Sequence, residues 1–203
     1  MMTLTDAGGI KMFFGMDNEK LKELGATYTA TEIRQQPKLW GETYNIIKEN
    51  EEKIKNFLSR RLKDNTRIIL TGAGTSDYVG DTIYLYLAKK LNLRVEAIAT
   101  TDLVSNPYEF IEENVPTILV SYARSGNSPE SVGAFDLFKE NVKDISQLVI
   151  TCNSEGELAK KASISDSDLC ILMPEDSNDK SFAMTSSFSC MLLASLLIFD
   201  IDN

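Results

Sequence analysis

Two short turns carry the side chains best suited to chemistry. The first is Thr71-Gly72-Ala73-Gly74-Thr75-Ser76-Asp77. Gly72 and Gly74 allow a tight bend and a close backbone approach to a ligand. Thr75 and Ser76 then open a helix, so their hydroxyls and the free N–H groups of a helix start face one spot, which suits an anion. The turn lacks the Lys-Ser/Thr ending of a P-loop, and Val79-Gly80 is out of register for the third glycine of a dinucleotide fingerprint. The second turn is Ser121-Tyr122-Ala123-Arg124-Ser125-Gly126-Asn127-Ser128-Pro129-Glu130-Ser131. Ser125 and Ser128 offer hydroxyls, Gly126 permits a nest of N–H groups, Pro129 fits a first helical position, and Arg124 adds a fork suited to phosphate oxygens. A capped helix start accounts for the first turn equally well. The second holds more polar groups than capping needs.

The remaining chemistry is limited by what the chain lacks. It has no histidine, which excludes a Ser-His or Cys-His pair and any His-ligated zinc built from this chain alone. A general acid or base must be a carboxylate, Lys, Tyr, Cys or water, or come from another chain. Glu130 is the in-chain candidate for a base, although an early helical carboxylate equally suits the helix dipole. Asn153, after a fourth strand, and Asn178, after a fifth, could meet sugar hydroxyls; solvated loops are the other reading. Cys152, Cys170 and Cys190 are too few and too scattered for a disulfide framework or a metal knuckle, and read as buried thiols of a cytoplasmic protein. No cofactor and no metal are expected.

These turns need a frame. Apolar runs at 67–71, 94–99, 117–122, 147–151 and 169–173 read as strands buried on both faces. Helical stretches at 77–91, 129–141 and 157–162 alternate with them, and a shorter one falls within 102–113. The series predicts an α/β fold, a five-stranded parallel sheet with helices on both faces, and ligands bind such sheets beyond the strands' carboxyl ends. A long helix over 39–62 precedes the sheet, and residues 1–38 form an N-terminal helical arm, with a short helix over 17–24. Residues 39–203 form the domain. The first fourteen residues show no signal peptide. The apolar run 182–201 is too polar at its start to span a membrane and reads as a core helix beginning near Ser181, or as one that packs on a partner chain. With 203 residues and a net charge of −9, neither nucleic acid nor an anionic membrane is an expected partner.

Taken together, the Gly-x-Gly-Thr-Ser turn and the Ser-Gly-x-Ser turn resemble the sugar isomerase (SIS) domain, a three-layer αβα sandwich that binds phosphosugars. The likeness runs from about Trp40 to the end. Segments 99–107, 123–131 and 181–188 are similar to the tagatose-6-phosphate ketose/aldose isomerase (AgaS-type) family of galactosamine catabolism. The resemblance implies phosphate binding by Thr75, Ser76, Ser125 and Ser128 with Arg124 beside them. It implies a sugar site bordered by Thr185 and Ser186, to which Gly74 and Asn153 are added. Where many SIS domains carry a further serine, this chain has Ala123, and Arg124 stands in for the missing hydroxyl. The family carries two SIS domains, and the chain looks like the N-terminal half. The implied activity is conversion of an aldose or amino-aldose 6-phosphate to tagatose 6-phosphate, with or without ammonia release. A non-catalytic phosphosugar sensor is the alternative. Pairing, as a homodimer or with a second SIS domain, is expected in either case.

Overall fold

The computed structural model describes residues 13–201. Five strands, β1 (Arg67–Gly72), β2 (Arg94–Ala97), β3 (Thr117–Ala123), β4 (Ile145–Thr151) and β5 (Leu169–Leu172), form one parallel sheet in the order β2-β1-β3-β4-β5. The order reverses between β1 and β3, which are paired in register from Arg67↔Thr117 to Gly72↔Tyr122. Every residue of β1, β3 and β4 is buried, as strands covered on both faces must be. Alternation along them sorts the core. Ile68, Leu70, Ile118, Val120, Leu148 and Ile150 face one helical layer, whereas Ile69, Leu119 and Val149 face the other. The first layer holds α2 (Thr27–Glu49), α3 (Glu51–Arg61), α4 (Asp77–Leu91) and α9 (Ser186–Phe199). The second holds α5 (Thr100–Ser105), α7 (Pro129–Asn141) and α8 (Glu157–Ala162). The αβα sandwich is therefore as expected.

Four helical assignments differ from the sequence reading. The helix expected from residue 39 begins at Thr27 and runs without a break through the boundary drawn at 38/39. Pro37 lies inside it. Proline lacks the N–H that would reach the Ile33 carbonyl, and the Gln36 side-chain amide donates there instead, at 3.3 Å. The helix breaks at Asn50, whose side chain donates to the Ile46 carbonyl at 2.9 Å, and α3 follows. The segment 102–113 holds α5 and α6 (Pro107–Phe110), divided at Pro107. The final helix starts at Ser186 rather than near Ser181, because 180–185 is bonded elsewhere. Cys190, Met191, Ala194 and Ile198 of α9 are fully buried, so the helix completes the core. Among the described residues no helix is long and apolar enough to cross a membrane. Ahead of α2 the arm holds α1 (Asn18–Glu23), where a short helix was expected over 17–24, and residues 1–12 lie outside the described residues.

Gly80 sets how closely α4 approaches β1. A Cβ there would stand 2.9 Å from Leu70 Cβ, so Gly80→Ala must push the helix off the sheet. We expect it to lower stability by about 1–3 kcal/mol in urea unfolding. Gly41, on the exposed side of α2, has nothing within 4 Å of the same position. Gly41→Ala is expected to be neutral or to add up to about 1 kcal/mol.

Candidate functional site

The two hydroxyl-bearing turns leave the adjacent tips of β1 and β3. After β1 the chain folds back on itself through a short 3-10 turn, Gly74–Ser76. Residue 72 must be glycine, because a Cβ would sit 2.5 Å from the Ser76 carbonyl carbon. After β3 the turn reverses at Gly126, whose φ of 69° favours glycine. This second turn is braced from the loop after β4. Asn153 donates its amide to the Ser125 carbonyl at 2.8 Å, Leu158 N–H donates to the Gly126 carbonyl at 3.0 Å, and Glu157 N–H donates to Asn127 Oδ1 at 2.9 Å. Gly156 packs so closely that a Cβ would lie 2.6 Å from the Ser125 carbonyl oxygen.

Between the turns lies a cavity of about 80 Å³, several times the room one water needs. Ser76, Ser125, Ser128 and Ser131 line it together with Arg124. Ser128 precedes α7 yet makes no capping bond to it, which leaves its hydroxyl available. Ser131, 2% exposed, follows Ser128 by three residues and so returns one helical turn later. That spacing is legible in the sequence. The start of α7 meets the same space, so hydroxyls, a guanidinium and a helix start converge on a volume suited to a tetrahedral oxyanion.

Several expected contacts are placed differently. Gly74 is exposed and Thr75 half-buried, and neither lines the cavity. Glu130 sits half-buried in the first turn of α7 and is also outside the lining. Asn153 has both polar atoms engaged, since its Oδ1 accepts from Glu155 N–H at 3.1 Å; it braces the turn. Arg124 lines the cavity, but its Nη1 donates to the Asp179 carbonyl at 2.8 Å. Ser186 is fully buried, donating to the Glu32 carbonyl at 2.8 Å and accepting from Gln35 at 3.1 Å. It does not line the cavity. Thr185 has a buried hydroxyl with no hydrogen-bond partner.

One wall was not foreseen. Met184 lines the cavity from an irregular strap, residues 178–185, that replaces the expected start of the last helix. Asp179, 3% exposed, accepts from the N–H groups of Thr185, Ser186 and Ser187 at 3.0, 3.1 and 2.8 Å and from the Ser187 hydroxyl at 2.6 Å. It thereby caps α9. Buried Glu32, from α2, accepts from the N–H groups of Lys180 and Ser181 at 2.6 and 3.1 Å and from the Ser181 hydroxyl.

Proton chemistry is scarce here. Burial pushes the Cys152 thiol up to about 12 and Cys170 and Cys190 to about 11, so none is a thiolate nucleophile near neutrality. Burial also raises the Tyr122 phenol. Asp77, next to Ser76 in the chain, is a carboxyl raised to about 6, by desolvation first and then by Asp81 and Asp102. Its Oδ1 is buried without a partner. Among the described residues no group of His, Cys, Asp or Glu could hold a metal.

A carboxyl whose folded pKa stands above its ordinary 3.8 destabilises the fold once ionised. Stability is full below that value and falls as pH rises through about 6. Asp77→Asn is therefore expected to raise the melting temperature at pH 7.5, with the gain shrinking towards pH 4. A gain independent of pH would show that Asp77 is not the group responsible.

Comparison with known proteins agrees with this geometry. The model of the SIS domain family matches residues 61–200. The chain is 48% identical over 187 residues to the D-galactosamine-6-phosphate deaminase AgaS of Shewanella sp. (strain ANA-3), covering 89% of this chain and 48% of that protein. A crystal structure from Clostridium novyi NT, provisionally named a tagatose-6-phosphate ketose/aldose isomerase, superposes with a TM-score of 0.92 at 52% identity, over 96% of this chain and 50% of that one. The tagatose-6-phosphate ketose/aldose isomerase of Escherichia coli gives 0.84 at 43%, over 87% of this chain and 48% of that one. The chain thus spans about half the length of the curated relatives it matches. With its parallel sheet, its paired serine turns and a family match over most of its length, the chain belongs to the SIS domain family.

Proposed function

We propose that this chain is the phosphosugar-binding SIS domain of an AgaS-type ketose/aldose isomerase, acting on galactosamine 6-phosphate with release of ammonia or on the corresponding aldose 6-phosphate. The observation that carries this reading is the convergence of four serine hydroxyls and Arg124 in one cavity at the sheet's switch point. The phosphate is the handle by which the sugar is held and oriented. At the other end of the sugar a base removes the C2 proton, giving an enediol or, from an amino sugar, an enamine. C1 is then reprotonated, and hydrolysis of the resulting imine releases ammonia and leaves the ketose.

No carboxylate or lysine lines the cavity, so this chain supplies the grip and the proton-transfer groups stand outside it. In this reading they belong to a second SIS domain, which the half-length match to the relatives supports. The same observation favours a second reading, a phosphosugar sensor without catalysis. Pairing with that second domain or with another copy would use the exposed Tyr78, Leu85 and Tyr86 of α4 rather than α9, whose apolar face lies in the core. The three free thiols suit a reducing cytoplasm.

Hydrogen bonds to a charged group contribute about 1.5–3 kcal/mol each. Ser125→Ala/Ser128→Ala is therefore expected to weaken binding of galactosamine 6-phosphate and of tagatose 6-phosphate about 100-fold or more by titration calorimetry. Unchanged affinity rejects the phosphate cradle. Assay of the purified chain for ketose and ammonia from galactosamine 6-phosphate separates the readings, because turnover rules out the pure sensor.

A further inference from the structure

We infer that Glu32, which lies in α2 outside the matched residues 61–200, is a positioning residue for the organic part of the ligand; this rests on the phosphosugar reading above. All the cavity's lining residues except one come from β3 or from the turns and helix that follow β1 and β3, namely Ala73, Ser76 and six residues between Tyr122 and Ser131. The exception is Met184. The serines take the phosphate, so a ligand that extends beyond its phosphate meets the strap at Met184.

The strap has no ladder or helix of its own to hold it. Backbone of this kind keeps one geometry only if its N–H groups find acceptors. Glu32 supplies them from both of its polar ends. The carboxylate accepts from Lys180 N–H, Ser181 N–H and the Ser181 hydroxyl, and the backbone carbonyl accepts from the Ser186 hydroxyl at 2.8 Å. The same residue therefore grips the strap before Met184 and just after it. Gln35, one helical turn on, bridges the Asp176 carbonyl at 2.8 Å and the Ser186 hydroxyl at 3.1 Å. Glu32 is 5% exposed, so a carboxylate there persists only because all these donors meet it. Within the strap, Phe182 is wholly exposed and Ala183 exposed. The Ser181 hydroxyl also contacts the Ala183 carbonyl at 2.8 Å, which transmits the anchor towards Met184. Removing the carboxylate frees the strap at Lys180 and Ser181, whereas Asp179 keeps its own bonds to residues 185–187 and to Arg124, so the serine wall stays in place.

The test compares two probes, inorganic phosphate and galactosamine 6-phosphate, by calorimetry on the full chain. Glu32→Ala is expected to weaken the sugar phosphate at least tenfold while inorganic phosphate stays within about twofold. Glu32→Gln keeps an acceptor oxygen and an amide that can meet the Ser181 hydroxyl, and should restore binding to within about threefold of the parent. If Glu32→Ala does not fold by circular dichroism, Glu32→Asp, which keeps the charge and loses the reach, is read for the same split. Equal loss of both probes, or no loss of either, overturns the positioning role. A parent chain that binds neither probe overturns the phosphosugar reading itself, whereas loss of both on Ser125→Ala/Ser128→Ala beside unaffected Glu32 variants overturns this inference alone.

Discussion

Parallel pairing of β1 with β3 brings Gly72 opposite Tyr122, and every polar group of the cavity hangs from that pairing. Because the two strands turn outward to different sides of the sheet, neither crossover covers the gap between their tips. The first turns into α4 and the second into α7, so the two hydroxyl-bearing turns open on the same space without competing for it. A strongly apolar, fully buried strand pair is a rigid base for such a site, since slipping the register by one residue would exchange the two core faces. The net charge of −9 bears on the phosphate site proposed above. An anion drawn to an acidic protein has to be held at short range, by dipoles and hydrogen bonds, because the long-range field repels it.

The opposite wall is built on another principle. Its backbone is irregular, and two buried carboxylates supply the acceptors that strands and helices elsewhere supply for themselves. Burying a carboxylate costs several kcal/mol unless its oxygens are fully bonded, and Glu32 and Asp179 each meet at least three donors. Arg124 links the two walls, since it lines the cavity and its Nη1 donates to the Asp179 carbonyl. The serine turn is thus tied to the Asp179 end of the strap, which its own bonds to residues 185–187 hold, and not to the Lys180-Ser181 end that Glu32 holds.

Much of this could be read along the chain because it is encoded locally. Runs such as Ile68-Ile69-Leu70 and Leu148-Val149-Ile150 mark buried strands, and the glycines and serines after the first and third strands mark the turns. What escaped was decided by partners far away in sequence. Ser186 looks like a free hydroxyl until Glu32, 154 residues earlier, accepts from it. Asn153 looks like a sugar ligand until it is seen to bond Ser125. Pro37 is a nearer case: it looks like a helix breaker, yet the adjacent Gln36 satisfies the carbonyl it strands, and α2 runs on through it. Ser131 is the exception, a lining residue whose spacing from Ser128 was in plain view.

Gly156 lies against Ser125 so tightly that no side chain fits between them. That turn is consequently fixed by close backbone packing as well as by the Asn127 and Asn153 side chains, which leaves it little room to adjust. The facing wall is held by side chains, and each of those can be exchanged. On the proposed function, a lineage that alters Met184 or its neighbours changes which phosphorylated compound is preferred while keeping the grip common to them all.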